Sequence, residues 1–151
     1  MDIQIDSREK AKAITKIIDT FDRQGHKYFV SKLPVGDYQS LDNARKVIDR
    51  KQNLGELCGN ICQQHDRFKA EMIRANELGI KLIILCEHGG KIHTLEDVKE
   101  WKNPRKRFSS YAMNGETLYK TLCTISKRYD VDFHFCHKTQ TGQRILELLQ
   151  Q

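Results

Sequence analysis

Apolar residues recur along this chain with two spacings, and the switches between them mark its elements. Ile3 and Ile5 alternate with polar neighbours as a short strand that ends at Asp6. Over residues 10–24, Ala11, Ile14, Ile17, Ile18 and Phe21 fall at helical spacing, and Gly25 follows as a C-cap. Residues 27–33 read as a second strand, closed by Pro34. Residues 35–40 and 45–51 read as two further strands of a hairpin, with Asp42-Asn43 supplying the turn. Asn53 caps the next helix, Glu56 reaches back toward it, and Leu57, Ile61, Phe68 and Met72 give that helix one apolar face to about Leu78, before Gly79. The run Leu82-Ile83-Ile84-Leu85-Cys86 predicts a strand covered on both faces. Thr94 caps a short helix to about Trp101, and a loop around Pro104 leads to a helix over 116–129. Residues 131–137 alternate as an edge-like strand, and Thr141 opens a closing helix with Ile145, Leu148 and Leu149 inward. Without repeats or linkers, this alternation predicts one α/β domain, a central mixed sheet flanked by α-helices. Its core is expected in residues 1–90, with a basic loop and C-terminal helices in 91–151.

Composition narrows the class of protein. With 30% charged and 38% hydrophobic residues among 151, the chain is expected to fold without disulfides or metal. No apolar stretch reaches the ~20 residues of a membrane span, and the polar start lacks a signal-peptide core. The five scattered cysteines suit a reducing compartment, so a cytoplasmic location is expected. A net charge of +6 and a pI near 9.1 favour a polyanionic partner. Lys102, Arg105, Lys106 and Arg107 crowd into one stretch with Trp101 and Phe108, the composition of a DNA-backbone contact. Asn114-Gly115 opens the helix that bears Lys120, Lys127 and Arg128, where a phosphate or plain solvent would be met.

The sharpest feature is Gly36-Asp37 followed by Asp49-Arg50-Lys51. A hairpin loop centred on Asn43 places Asp37 directly across from Asp49, with Cβ atoms about 5 Å apart on one face. Lys51, two residues on, shares that face. Like charges placed opposite each other destabilise a hairpin unless something positive lies between them. Oxygen-only ligands point to Mg²⁺, or Mn²⁺ in its place. The lysine would hold attacking water or steady the charge growing on phosphorus. The alternative is a surface hairpin with a chance Asp-x-Lys. At the end of the first strand, Asp6-Ser7-Arg8-Glu9 adds two carboxylates and a guanidinium where α/β sheets gather chemistry, although Asp6 or Ser7 could simply cap the following helix.

Asp6-Ser7-Arg8-Glu9, Val35-Gly36-Asp37-Tyr38 and Ile48-Asp49-Arg50-Lys51 together resemble, in order and spacing, the nuclease domain of the XPF family, structure-specific endonucleases of the PD-(D/E)xK superfamily. The resemblance covers roughly the first 90 residues. It implies a restriction-endonuclease-like core and a Mg²⁺-dependent phosphodiester hydrolase acting on branched or flap DNA. It assigns Asp6, Glu9, Asp37 and Asp49 to the acidic metal site, Arg8, Arg50 and Lys51 to the phosphate, the Arg50 carbonyl to a further ligand position, and Arg67 to the substrate face. It also implies a homodimer. Three departures stand out: Asp49 replaces the usual Glu, Gly55 replaces an Asp four residues after the motif lysine, and no helix-hairpin-helix module follows. Glu56 either substitutes for that Asp or serves only as a helix cap, the reading favoured here. In lacking that module the chain is similar to stand-alone domains of bacteria and their phages.

The rival readings are a DNA-binding module that keeps the fold and does not cut, and an assembly factor that presents nucleic acid to a partner enzyme. No small-molecule substrate or membrane partner is expected. Cys58, Cys62 and His65 share one side of a predicted helix, but structural zinc sites draw their ligands from close pairs in turns, and buried cysteines explain the spacing better.

Overall fold

The apolar run at 82–86 has no side that tolerates water, and in the computed structural model, which describes residues 1–151, it forms a strand buried along its whole interior. In chain order the elements are β1 (Asp2–Ile5), α1 (Thr15–Arg23), β2 (Lys27–Val30), β3 (Tyr38–Ser40), β4 (Asn43–Lys51), α2 (Leu54–Cys62), α3 (His65–Glu77), β5 (Lys81–Glu87), α4 (Gly115–Tyr129), β6 (Asp132–Cys136) and α5 (Thr141–Gln150). The strands make one mixed sheet in the order β2-β1-β3-β4-β5-β6. β4, β5 and β6 run parallel, β3 is antiparallel to β1 and β4, and β2 is parallel to β1.

Strand alternation divides the core between the two faces. Val47, Leu82, Ile84 and Cys86 pack with Leu54, Leu57, Phe68, Met72, Leu118 and Leu122 of α2, α3 and α4. Ile48, Ile83 and Leu85 pack with Ile17, Phe21, Ile145 and Leu149 of α1 and α5. The restriction-endonuclease-like α/β fold expected from the motifs is therefore present. β6 and α5 complete the sheet and its second face, so the core draws on the whole chain and not only on residues 1–90. No helix is long and apolar enough to cross a membrane.

Several elements differ from expectation. The first turn of the 10–24 helix is a 3₁₀ turn, Ala11–Ile14, and the short helix before Trp101 is likewise 3₁₀, Glu96–Glu100. The single helix expected over 53–78 is two, because the Gly59 carbonyl accepts both the Gln63 and Gln64 amides and closes α2. The hairpin turn lies at Leu41-Asp42 rather than Asn43, since Ser40 pairs with Asn43. A bulge then lets Gln39 face Ala44 to Val47, and the register is restored at Tyr38 opposite Ile48.

Candidate active site

The restored register puts Asp37 beside Asp49. The Asp37 amide donates to the Ile48 carbonyl at 2.8 Å, and the Asp37 Oδ2 accepts the Arg50 amide at 2.8 Å, so both main chain and side chain of Asp37 are tied to β4. Gly36 makes this approach possible. Its φ is +69°, and a Cβ there would stand 2.0 Å from the Val47 Cγ1. Gly36→Ala is expected to cost about 1–3 kcal/mol or more, read by urea denaturation, because it forces both a left-handed backbone and a collision.

Val47, Asp49 and Lys51 alternate onto the face that carries α2 and α3, and there Asp37, Asp49 and Lys51 line a polar cleft of about 260 Å³ with Arg8, Glu9, Glu56, Arg67 and Glu71. Lys51 Nζ stands 3.3 Å from Asp49 Oδ2 in a charge contact whose angle makes no hydrogen bond, so that oxygen is buried without a donor. Burial opposes the Lys51 charge, but Asp49, Glu71 and Glu56 more than compensate and hold the amine protonated above its ordinary range. Burial, then the charges of Asp49 and Glu9, push the proton affinity of Asp37 well above the carboxylate norm. Glu71, on α3, accepts the Gly36 amide at 3.2 Å, and burial with the Asp49 charge raises it too.

This donor set fits a hard divalent cation: it offers only oxygens, one of them buried and orphaned, under electrostatic stress that a cation would relieve. No three His, Cys, Asp or Glu side chains form a ready-made ligand cluster. Mg²⁺ needs none, since it keeps waters and takes one or two carboxylates plus substrate phosphate. The stress has a testable sign. A carboxyl whose folded-state pKa is raised above its unfolded value, near 3.8 for Asp37, gives stability at acid pH that is lost as pH rises through the folded value. At neutral pH the metal-free site is thus a liability. Asp37→Asn keeps an acceptor for the Arg50 amide and is expected to raise the metal-free Tm by about 2–4 °C, for roughly 1 kcal/mol of relieved repulsion. A thermal melt in EDTA checks it.

Arg50 also borders the cleft, but its guanidinium is held between two carboxylates. Its Nε donates to Glu9 Oε2 at 2.8 Å, its Nη2 to Glu9 Oε1 at 3.3 Å, and its Nη1 to Glu87. The Tyr38 hydroxyl donates to Glu9 at 2.7 Å, and the Thr141 hydroxyl to Glu87 at 2.8 Å. Asp6 is fully buried, its Oδ1 accepting the Leu33 amide at 2.8 Å and its Oδ2 the Arg8 amide at 3.1 Å and Arg8 Nε at 2.6 Å. Burial alone would raise Asp6, but Arg8 and these amides outweigh it and lower its pKa. Asp6, expected at the metal site, does not line the cleft, and both its oxygens accept hydrogen bonds from the protein.

Comparison with family models matches the ERCC4 domain over residues 5–149. The chain belongs to the ERCC4-domain family. Among solved structures, XPF from Aeropyrum pernix superposes with a TM-score of 0.71 at 18% identity, covering 99% of this chain and 64% of that one. XPF from Aeropyrum pernix in complex with DNA superposes at 0.66 with 17% identity, covering 99% of this chain and 63% of that one. This ERCC4 domain thus spans less than two thirds of the length of either XPF chain. Curated protein sequences give no match. The resemblance to the XPF nuclease domain, drawn from motifs in the first 90 residues, extends through β6 and α5.

The remaining residues singled out in this ERCC4 domain fall in three places. Arg67 lines the cleft, as does Glu56, which also accepts the Gln52 amide at 2.7 Å while its own amide donates to the Asn53 side chain at 2.8 Å. Lys102, Lys106, Arg107 and Lys120 are exposed and line no part of the cleft; Arg105 borders a neighbouring cavity with Cys58, Cys62 and Tyr111. His65 borders a different groove, so the two cysteines and the histidine do not converge. Burial pushes the Cys58 thiol up to about 11, which suits a packed side chain. Glu71 was not anticipated, although a carboxylate set between Phe68, Met72 and Ala75 on a helix's inner edge is a readable signal.

Proposed function

We propose that this ERCC4 domain is a divalent-metal-dependent endodeoxyribonuclease that hydrolyses phosphodiester bonds in branched or flap DNA. The supporting observation is the convergence of Asp37, Asp49, Glu71 and Lys51 in one cleft, with Arg8 and Arg67 among its lining residues. Asp37 and Asp49 would hold Mg²⁺, or Mn²⁺ in its place, with the Arg50 carbonyl as a further donor. A cation held there would lower the pKa of the attacking water and withdraw charge from the phosphate. Lys51, kept protonated by its acidic neighbours, donates to the oxygen on which negative charge develops. Glu71, which lines the cleft with Asp49 and Lys51, is the carboxylate placed to take the proton that water gives up. Arg8 and Arg67 bind the phosphates flanking the scissile bond. Glu9, Arg50 and Asp6 act as positioning residues, fixing β4 and the turn that carries Arg8.

Labelled flap, fork and four-way-junction DNA incubated with Mg²⁺ or EDTA tests this reading. Metal-dependent products are expected, and binding without products would favour the DNA-binding module, which the Asp49 and Gly55 departures support. Pairing of two copies belongs to the same proposal. The edge strand β2, with Tyr28, Phe29 and Val30 exposed, is one surface available for it.

A further inference from the structure

The segment from Trp101 to Gly115 holds Lys102, Arg105, Lys106 and Arg107 and no carboxylate, and it is firmly anchored. Trp101 is buried and meets the His88 ring edge-on, with centroids 6.3 Å apart. Asn103, also buried, accepts the Arg105 amide at 3.0 Å and donates from Nδ2 to the Met113 carbonyl at 2.8 Å, which ties the two ends of the loop together. Gly115 presses so close to the preceding 3₁₀ turn that a Cβ would lie 2.5 Å from the Val98 carbonyl.

Two aromatic rings project from this fixed base: Phe108 is 90% exposed and Tyr111 97% exposed. Both rings leave their π-faces open to a partner, and they do so beside a run of four cations. Tyr111, Arg105 and Ser109 border a cavity of about 210 Å³ against Gly59 and Gln63 at the end of α2. Asn60 on the same helix and Gln64 just after it line the active cleft. A DNA strand leaving the cleft over Asn60 and Gln64 therefore meets Tyr111 next, with Phe108 three residues earlier on the same loop.

We propose that Phe108 and Tyr111 are a stacking platform for unpaired bases in a single-stranded arm of the substrate, with Arg105, Lys106 and Arg107 on its phosphates. Rings stack on every base without reading sequence, whereas in a duplex the base faces are already stacked and closed to them. The cations commit the surface to nucleic acid, because an apolar protein partner would have to bury four of them unpaired. A loop already held in shape loses little further freedom on binding. The inference rests on the nuclease reading for which strand is cut, while the binding preference stands by itself.

Fluorescence anisotropy in EDTA tests it, with single-stranded, flap and blunt duplex DNA as probes. The Phe108→Ala/Tyr111→Ala double variant is expected to bind single-stranded and flap DNA at least about tenfold more weakly, with duplex affinity and the salt slope unchanged. Phe108→Tyr/Tyr111→Phe is expected to restore the affinity, and 2-aminopurine placed in the arm should be quenched by the native protein and not by the alanine variant. Neutralising Arg105, Lys106 and Arg107 should weaken every DNA and flatten the salt slope. Equal loss on duplex and single strand would overturn the platform, as would no loss at all, which would instead point to a protein docking surface. Selectivity without cleavage would sink the nuclease reading alone; cleavage without selectivity would sink the platform alone.

Discussion

Asp49→Asn is expected to slow DNA cleavage by on the order of 10³-fold or more, while folding and DNA binding persist. The replacement is nearly isosteric and sits among well-packed neighbours, so the hairpin should keep its register. What disappears is one of the two carboxylates, Asp37 and Asp49, that would hold the cation, together with the counter-charge 3.3 Å from Lys51. Lys51→Met should cause a comparable loss by a different route: the ammonium that stands 5.7 Å from the Phe68 ring centroid is removed, and no cation faces the developing phosphate charge. Single-turnover rates at saturating protein separate these effects from binding. If either variant cuts within tenfold of the native rate, the hairpin is not the reactive centre.

The second large effect is on stability. Arg50→Ala is expected to destabilise the domain by about 3–5 kcal/mol, because it strands Glu9 and Glu87, each only 10% exposed at the side chain, without their shared cation. Against a typical domain stability of about 5–15 kcal/mol, this is enough to leave much of the protein unfolded at modest temperature. Arg50→Lys should rescue little, since one ammonium cannot span two carboxylates as the guanidinium does. Adding Glu9→Gln and Glu87→Gln to an Arg50→Met background should recover part of the loss, because no buried charge then remains in the network. Urea denaturation followed by circular dichroism reads all three. Cleavage that fell with no change in stability would instead place Arg50 on the substrate.

Asp37 opposite Asp49 was legible in the sequence, but through an error that cancelled. Symmetry about Asn43 gives the right pairing, whereas the turn lies at Leu41-Asp42 and a bulge makes up the difference. Alternation along β4 puts Asp49 and Lys51 on one face, while the Arg50 guanidinium turns to Glu9 and Glu87 although the residue still borders the cleft. The motif context nonetheless directed Arg50 toward phosphate, because its partners Glu87 and Thr141 come from distant segments that no local pattern connects. The break between α2 and α3 was hidden for a related reason: the apolar stripe from Leu57 through Ile61 to Phe68 runs on in helical phase across Gln63 and Gln64. That break sets the approach of α3 and so delivers Glu71 to Gly36, which only tertiary packing determines. The charges of the basic loop by themselves read as a DNA contact. Its aromatic display depends on the Asn103–Met113 tie, which sequence does not reveal.

The proposed reaction depends most on Asp37 and Asp49, which together would hold a cation at the DNA. Electron paramagnetic resonance of Mn²⁺ titrated into the protein with an uncleavable flap DNA measures this directly. One bound Mn²⁺ per chain is expected for the native protein, lost in Asp37→Asn/Asp49→Asn and retained in Phe108→Ala/Tyr111→Ala. Mn²⁺ binding that is unchanged by the paired asparagine substitution, or absent from the native complex, would contradict it.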